Sequence, residues 1–159
     1  MFVQALGWEV PGVARDGVHE EDQFDSEECV YVIAVASNGI CGCARLLPTT
    51  RPYVLEQMFP SLVQGARQQR SDRVWEMSRL AASAERGGGR ASRSLRLQVF
   101  AAALGAGRSL GATQIIGVVS QSVLRMLERS GVALERLSSM RVQGALIVAC
   151  SVELKAGPA

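Results

Sequence analysis

The apolar residues of this chain fall into short continuous runs, which predict strands. The runs are residues 29–37, 40–47, 74–82, 113–119 and 144–154. The first two runs are joined by Asn38-Gly39, a dipeptide typical of a hairpin turn. We therefore expect the first two strands to form a hairpin.

Between the later strands, apolar residues recur at the spacing of helices. A short helix is expected over residues 53–64, a longer one over 94–110, and a compact one over 121–130 that ends at Gly131. Residues 85–93, with three glycines among arginines, are expected to form a loop. The order β-β-(α)-β-α-β-α-β predicts an α/β fold with a mixed sheet. We expect a single domain over residues 1–159.

The composition argues against several classes of function. The balance of 17 basic and 15 acidic residues is near neutral, unlike the strongly basic profile of a nucleic-acid-binding protein. No apolar run reaches the length of about 18 residues expected of a membrane-spanning helix. The first residues lack the pattern of a signal peptide. We therefore expect a cytoplasmic protein that binds neither nucleic acid nor membrane.

The cysteines do not suggest a metal site or thiol catalysis. Cys29, Cys41, Cys43 and Cys150 all lie in strand-like runs. Cys41-Gly42-Cys43 has the wrong spacing for a zinc knuckle, and His19 is the one histidine of the sequence. We expect buried thiols and no metal ion.

Charged residues lie close to the predicted strands, where a core is expected. Asp22 and Asp25 precede the first strand, Arg45 lies within the second, and Glu76 and Arg79 belong to the third. If these strands are neighbours, carboxylates and guanidiniums meet at one end of the sheet, where buried charges must be paired. Such a cluster could bind a zwitterionic ligand. Ordinary surface ion pairs would explain each residue taken alone.

Five motifs in order point to one family. They are Phe2 with Leu6-Gly7-Trp8, Asp22-Gln23-Phe24-Asp25, Arg45-Leu46-Leu47-Pro48-Thr49, Trp75-Glu76-Met77-Ser78-Arg79, and Ser130-Gly131. Together they resemble the acyl-homoserine-lactone synthases, the LuxI-type autoinducer synthases of bacterial quorum sensing. The resemblance covers nearly the whole chain. It implies an αβα sandwich of three layers, similar to the GCN5-related N-acetyltransferases.

The resemblance also implies a reaction. The amine of S-adenosylmethionine, a substrate and not a bound cofactor, attacks an acyl thioester carried by acyl carrier protein. Its carboxylate then closes the lactone and expels methylthioadenosine. The implied catalytic residues are Glu76 as general base, together with Arg79, Asp22, Asp25 and Arg45. Phe2, Trp8, Arg45 and Arg79 are the residues implied to bind S-adenosylmethionine.

The acyl chain requires an apolar pocket, although ordinary core packing would also explain its candidate residues. These are Met77, Leu80, Phe100, Gly117, Val119, Met126 and Leu127. Gly117 lies where many relatives that use 3-oxo acyl chains carry threonine, so unsubstituted chains are expected. The surface that docks an acidic carrier protein is expected among Arg67, Arg70, Arg73, Arg86, Arg90, Arg93 and Arg96.

The chain also departs from the family pattern. The resemblance implies an arginine and a helix upstream of Phe2 that this sequence lacks, and Leu80 replaces a common phenylalanine. A truncated, inactive homologue is therefore one alternative to an active synthase. A second is a non-enzymatic domain that binds a carrier protein or small ligand. A general N-acetyltransferase that uses coenzyme A is disfavoured, because the pyrophosphate-binding turn is absent before residue 94.

Overall fold

The computed structural model describes residues 14–15, 20–63, 70–83 and 89–155. The strands are β1 (Ala14–Arg15), β2 (Glu20–Glu21), β3 (Val30–Ala36), β4 (Gly39–Pro48), β5 (Val74–Ala82), β6 (Gln114–Ser120), β7 (Glu135–Val142) and β8 (Ala145–Glu153). The helices are α1 (Val54–Met58), α2 (Pro60–Val63), α3 (Gly89–Ser109) and α4 (Gln121–Arg129).

The principal sheet is mixed, as predicted. Its strand order is β3-β4-β5-β6-β8-β7, and β1 and β2 form a separate short pair. The β5–β6 pair is parallel, whereas the other neighbours in this sheet are antiparallel. Helix α3 supplies the crossover that a parallel pair of consecutive strands requires.

Helices cover both faces of this sheet. Side chains on successive strand residues point to opposite faces. Leu46 and Met77 accordingly pack in one cluster with residues of α3 and α4, while Leu47 packs in another with residues of α1 and α2. The arrangement confirms the expected αβα sandwich. No helix in the described ranges is long and apolar enough to cross a membrane.

The predicted strands and the helix over 121–130 are confirmed, with small shifts in their bounds. The helix expected over 53–64 is instead two short helices. The break falls at Phe59, because the proline that follows disfavours helical geometry in the residue before it. Helix α3 begins earlier than predicted, at Gly89, in a segment whose glycines and arginines indicated a loop.

Strand β7 is absent from the sequence-based prediction. Its sequence, ERLSSMRV, mixes charged and polar residues and has no clear alternation. It is an edge strand, so it needs pairing partners on one side alone, and a bulge between Arg136 and Ser138 interrupts its register. A polar, bulged edge strand leaves little periodic signal.

The parallel strands β5 and β6 separate soon after they meet. Their paired register runs only from Val74–Gln114 to Glu76–Ile116, although both strands continue. Gly117 lies at the point of separation. A Cβ atom added there would lie 2.8 Å from the carbonyl oxygen of Met77. Glycine is therefore required for the close approach of the two backbones before they diverge.

The variant Gly117→Ala tests this packing constraint. The added methyl group meets backbone that cannot rotate away, so the free energy of unfolding is expected to fall by about 1–3 kcal/mol in urea denaturation. Gly105→Ala is the control, because open space surrounds that glycine within α3. Alanine there should raise the free energy of unfolding by roughly 0.5–1 kcal/mol. Equal effects of the two variants would contradict the close approach.

Candidate functional site

The site begins with a tight turn before β3 that places two aspartates side by side. The backbone N–H of Asp22 donates to Asp25 Oδ2 at 2.8 Å, and that of Phe24 donates to Asp22 Oδ1 at 2.9 Å. Both bonds lie within four consecutive residues, so the turn itself holds the two carboxylates in place. Tyr31 on β3 donates its hydroxyl to Asp25 Oδ1 at 2.5 Å.

Arg45 on β4 joins the two aspartates. Its Nη1 donates to Asp22 Oδ1 at 2.7 Å and to Asp25 Oδ1 at 2.6 Å. Its Nε donates to Ser78 Oγ at 3.0 Å, and its guanidinium lies 5.8 Å from the centre of the Phe24 ring. Only 1% of Arg45 is exposed. The guanidinium is thus held inside the protein, where it holds the aspartates in place.

Arg79 reaches the same aspartates because of a bulge in β5. Between the pairs Arg45–Ser78 and Cys43–Ala81, β5 contains an extra residue relative to β4. Arg79 lies in this bulge with a left-handed φ of 52°. An unbroken strand would place Arg79 on the face of Met77. The bulge instead lets Arg79 Nη2 donate to Asp22 Oδ2 at 2.7 Å.

The arginines keep the two aspartates ionised. Burial alone would raise the pKa of Asp22, but hydrogen bonds from Arg45 and Arg79 lower it below its usual value. Burial acts in the same direction on Asp25, whose pKa is lowered by the bonds from Tyr31, the backbone and Arg45. The four charged side chains form the ion-pair network Asp22–Asp25–Arg45–Arg79. Two carboxylates and two guanidiniums are therefore fixed at this end of the sheet.

Glu76 has a different environment from the aspartates. Its side chain shares a sheet face with Arg45, because Glu76 pairs with Leu47 two positions along β4. Its Oε2 accepts from the backbone N–H of Val54 at 2.7 Å and its Oε1 from that of Leu55 at 2.6 Å. Tyr53, the N-cap of α1, makes no side-chain capping bond. Glu76 therefore caps α1 from a distant part of the chain.

The carboxyl group of Glu76 is a stronger base than an ordinary glutamate. Only 1% of its surface is exposed, and burial raises its pKa to about 7 although the bonds from α1 act in the opposite direction. Two segments of the chain thus supply three carboxyl groups to this region, the pKa being lowered for Asp22 and Asp25 and raised for Glu76. Such divergence is typical of functional sites.

A cavity of about 360 Å³ occupies the gap between β5 and β6. Its wall includes Glu76 and Arg79, and the remainder is mostly apolar. Met77 and Phe100 contribute from the cluster under α3, and Ile116 from the cluster under α1. Residues from both faces line the cavity, so it passes through the sheet where the strands part. Its volume suits a small ligand.

The structure brings most of the predicted residues to this region. Asp22, Asp25, Arg45 and Arg79 form one network, and Glu76 lies on the same sheet face. The predicted acyl-pocket residues that line the cavity are Met77, Leu80, Phe100, Gly117, Val119 and Leu127. Met126 packs against the same hydrophobic cluster and is not one of the described lining residues. Phe2 and Trp8 lie outside the described residues, as do Arg67 and Arg86.

Several contributors to the site were not predicted. Ser78 bonds Arg45 from within the quoted Trp75–Arg79 motif, and Tyr31 bonds Asp25 from β3. Cys150 and Val152 line the cavity because β8 pairs with β6, and Leu134 lines it from the segment just before β7. Tyr31 could have been identified from its place opposite Arg45 in the β3–β4 hairpin, and Ser78 from its place beside Arg79 in the Trp75–Arg79 motif. The residues of β8 depend on a strand order that local sequence does not encode.

Comparisons with known proteins are consistent across sequence and structure. The family model described as autoinducer synthase matches residues 1–155. An acyl-homoserine-lactone synthase of Ralstonia solanacearum is 40% identical over 164 residues, covering 98% of this chain and 78% of the relative. One from Pseudomonas aeruginosa is 39% identical over 153 residues, covering 95% of this chain and 73% of the relative.

Solved structures give the same result. TofI, in a ternary complex with an inhibitor and MTA, is 41% identical with a TM-score of 0.80, covering 96% of this chain and 77% of its own. BjaI, a CoA-dependent acyl-homoserine lactone synthase solved with SAM and isopentyl-CoA, is 27% identical with a TM-score of 0.83, covering 98% and 71%. An aminoglycoside 6'-acetyltransferase type Ii, 12% identical with a TM-score of 0.57, covers 83% and 73% and shares the fold.

Replacing Arg45 with methionine tests the ion-pair network. The variant leaves two mostly buried carboxylates without their shared cation, so the free energy of unfolding should fall by about 3–5 kcal/mol. Arg51→Met is the control, because Arg51 pairs with Glu28 at the surface, where the side chains are 65% and 48% exposed. That change should cost at most about 1 kcal/mol. A loss from Arg45→Met no larger than that of the control would contradict the network's structural role.

Proposed function

The chain belongs to the autoinducer synthase family and is an acyltransferase of the acyl-homoserine-lactone synthase type, and from this premise we propose its substrates and residue roles. The acyl group comes from the thioester of an acyl carrier protein, and the acceptor is the amine of S-adenosylmethionine. Amide formation releases the carrier thiol. The methionyl carboxylate then attacks its own γ-carbon, which closes the lactone and releases methylthioadenosine.

The contrast between two aspartates paired with arginines and a buried glutamate on the cavity wall is the observation that best supports this mechanism. Asp22 and Asp25 are held ionised by arginines, whereas Glu76 is buried beside the cavity with a pKa raised to about 7. The first pair supplies fixed negative charge for a substrate that carries an ammonium and a sulfonium. The third group supplies a base that is partly ionised at neutral pH.

Glu76 is the proposed general base for the attacking amine. Both of its oxygens accept backbone bonds from α1, which leaves each oxygen one further lone pair. A water in the cavity can accept the proton of the amine and pass it to that position. The bonds to Val54 and Leu55 also fix the carboxylate, so that its direction does not change when it gains the proton.

The arginines and aspartates are proposed to organise the S-adenosylmethionine site. Arg45 is buried, so its part is to hold Asp22 and Asp25 in position. Arg79 lines the cavity, so its guanidinium is the one proposed to orient the methionyl carboxylate. The aspartates balance the positive charges of the substrate. Phe2 and Trp8 remain proposed members of this pocket by family resemblance.

The acyl chain is proposed to occupy the apolar part of the cavity, against Met77, Phe100 and Leu127. This part lies between the sheet and helices α3 and α4, away from the charged network. Gly117 offers no hydroxyl to a substituent, and its surroundings leave no room for a larger side chain. We therefore favour unsubstituted acyl chains.

An acyl carrier protein is the donor we favour over coenzyme A, although BjaI shows that a relative of this fold is CoA-dependent. Arg90 and Arg93 are exposed on the first turns of α3, and Arg73 is exposed before β5. Exposed arginines suit an acidic carrier surface. Arg70 is already bonded to Glu56 and is a weaker candidate. We propose that the reaction takes place in the cytoplasm.

The variant Glu76→Gln tests the general base. The chain is incubated with S-adenosylmethionine and acyl carrier protein thioesters of several lengths, and the release of methylthioadenosine is measured. Loss of the base should lower kcat by about 10²–10⁴-fold. The new amide also places a donor against an N–H of α1, so affinity for S-adenosylmethionine is measured separately by calorimetry and should remain measurable.

The control for this experiment is Glu128→Gln, which alters an exposed ion pair with Arg136. It should turn over at the wild-type rate. Wild-type turnover by Glu76→Gln would eliminate the proposed base. In the unmodified chain, binding of carrier protein but not of S-adenosylmethionine, without product, would instead support a non-enzymatic binding domain. Binding of both substrates without product would support an inactive homologue.

A further inference from the structure

Arg96 occupies an unusual position on α3. Val99, Phe100 and Ala103 form the buried stripe of this helix that packs on the sheet. Arg96 lies one turn before them on the same side, and it lines the cavity. Arg93, three residues earlier on the helix, is exposed. The sequence predicts Arg96 to be one of the arginines of a carrier-protein docking surface, but the structure places it in the cavity wall.

The level of Arg96 along the cavity follows from contacts of α3 with the sheet. A Cβ on Gly107 would touch Ile115, near the start of β6, and a Cβ on Gly42 would touch Val99. Helix α3 runs back along β6, so positions earlier in α3 lie nearer the end of that strand. From Val99 to Gly107 the helix rises about 12 Å. Arg96 therefore lies near the level of Ser120, roughly 13 Å along β6 from Ile116.

This end of the cavity is polar and accessible. Ser120 and Ser122 line it, and Ser122 is exposed. The Nε atom of Arg96 is buried and has no hydrogen-bond partner among the described residues. Glu76 pairs with Ile116 and therefore lies at the other end of the cavity from Ser120. The cavity thus has a polar mouth with a cation, an apolar interior, and the proposed base about 13 Å from the mouth.

We propose that Arg96 binds the carrier arm of the acyl donor, donating hydrogen bonds to the carbonyl or phosphate oxygens of its phosphopantetheine group. The inference rests on the function proposed above. An acyl thioester on this arm combines an apolar tail, a reactive carbonyl, amides and a phosphate, and the cavity offers apolar walls, the proposed base and a cationic polar mouth. An unpaired guanidinium nitrogen at the mouth is costly in isolation and favours an oxygen acceptor.

We expect Arg96 to contact the arm and not the acyl tail, because the mouth of the cavity is polar and its interior is apolar. The interior walls near Phe100 and Leu127 are apolar and suit a hydrocarbon. The mouth carries two serine hydroxyls and the guanidinium, and the exposed Arg90 and Arg93 precede it on the same helix. The same arm occurs in acyl carrier proteins and in coenzyme A, so Arg96 would act with either donor.

Calorimetric titration with inert thioethers tests the proposal. S-octyl coenzyme A carries the whole arm together with its nucleotide, S-octyl phosphopantetheine carries the arm and its phosphate alone, S-octyl pantetheine lacks the phosphate, and S-octyl N-acetylcysteamine keeps only the part nearest the sulfur. In Arg96→Met, affinity for S-octyl coenzyme A should fall about tenfold or more, since charged hydrogen bonds are the stronger kind. Affinity for S-octyl N-acetylcysteamine should change less than about twofold. Arg96→Lys should retain part of the binding.

The control is Arg108→Gln, which removes an exposed arginine from the last turn of the same helix. It should leave all four affinities unchanged. A loss with S-octyl pantetheine as large as with S-octyl coenzyme A would assign the contact to the amide carbonyls. A smaller loss with S-octyl pantetheine, beside the full loss with S-octyl phosphopantetheine, would assign it to the arm phosphate, and a loss confined to S-octyl coenzyme A would place the contact on the nucleotide and overturn the proposal. Equal losses for all four thioethers, or no loss for any, would overturn the proposal.

Turnover separates this inference from the proposed function. The Arg96→Met variant should raise the KM for octanoyl carrier protein and for octanoyl coenzyme A, with the KM for S-adenosylmethionine unchanged. If the wild-type chain forms no methylthioadenosine with either donor, the proposed synthase activity fails. The thioether titrations still decide whether Arg96 binds the arm, because they require no reaction.

Discussion

The site depends on a buried guanidinium shared by two carboxylates. Arg45 is almost entirely inside the protein, and it bonds both Asp22 and Asp25. A charge in that position is tolerated only when it is paired. The pairing holds the turn before β3 against strand β4 of the sheet. It also fixes where the negative charges of the aspartates are presented.

Two departures from regular strand geometry extend this network into a site. The bulge in β5 brings Arg79 to the aspartates, and the separation of β5 from β6 opens the cavity. Glu76 is the last residue of β5 that pairs with β6, three positions before Arg79, and it also caps α1 and lines the cavity. A regular sheet would have buried the same residues without creating a binding space. The irregularities are therefore what make the fold suitable for catalysis.

The sequence predicted the sheet and the charged cluster because both have local signals. Apolar runs marked the central strands, and Arg45 stood out as a charge within such a run. Other features depend on distant contacts. The bond of Glu76 to α1 requires a helix whose own N-cap residue provides no capping bond, and the reach of Arg79 requires a bulge. Strand β7 was missed because a polar edge strand carries little periodic signal.

Titration of the carboxyl carbons by ¹³C NMR tests the account most directly. We predict that Asp22 and Asp25 lose their protons below the ordinary value of 3.8, and that Glu76 titrates near pH 7. Since folding strengthens proton binding by Glu76, this group should lower stability as the pH rises from 4.5 to about 7. Three carboxyl groups titrating together near their ordinary values would contradict the proposed electrostatic arrangement.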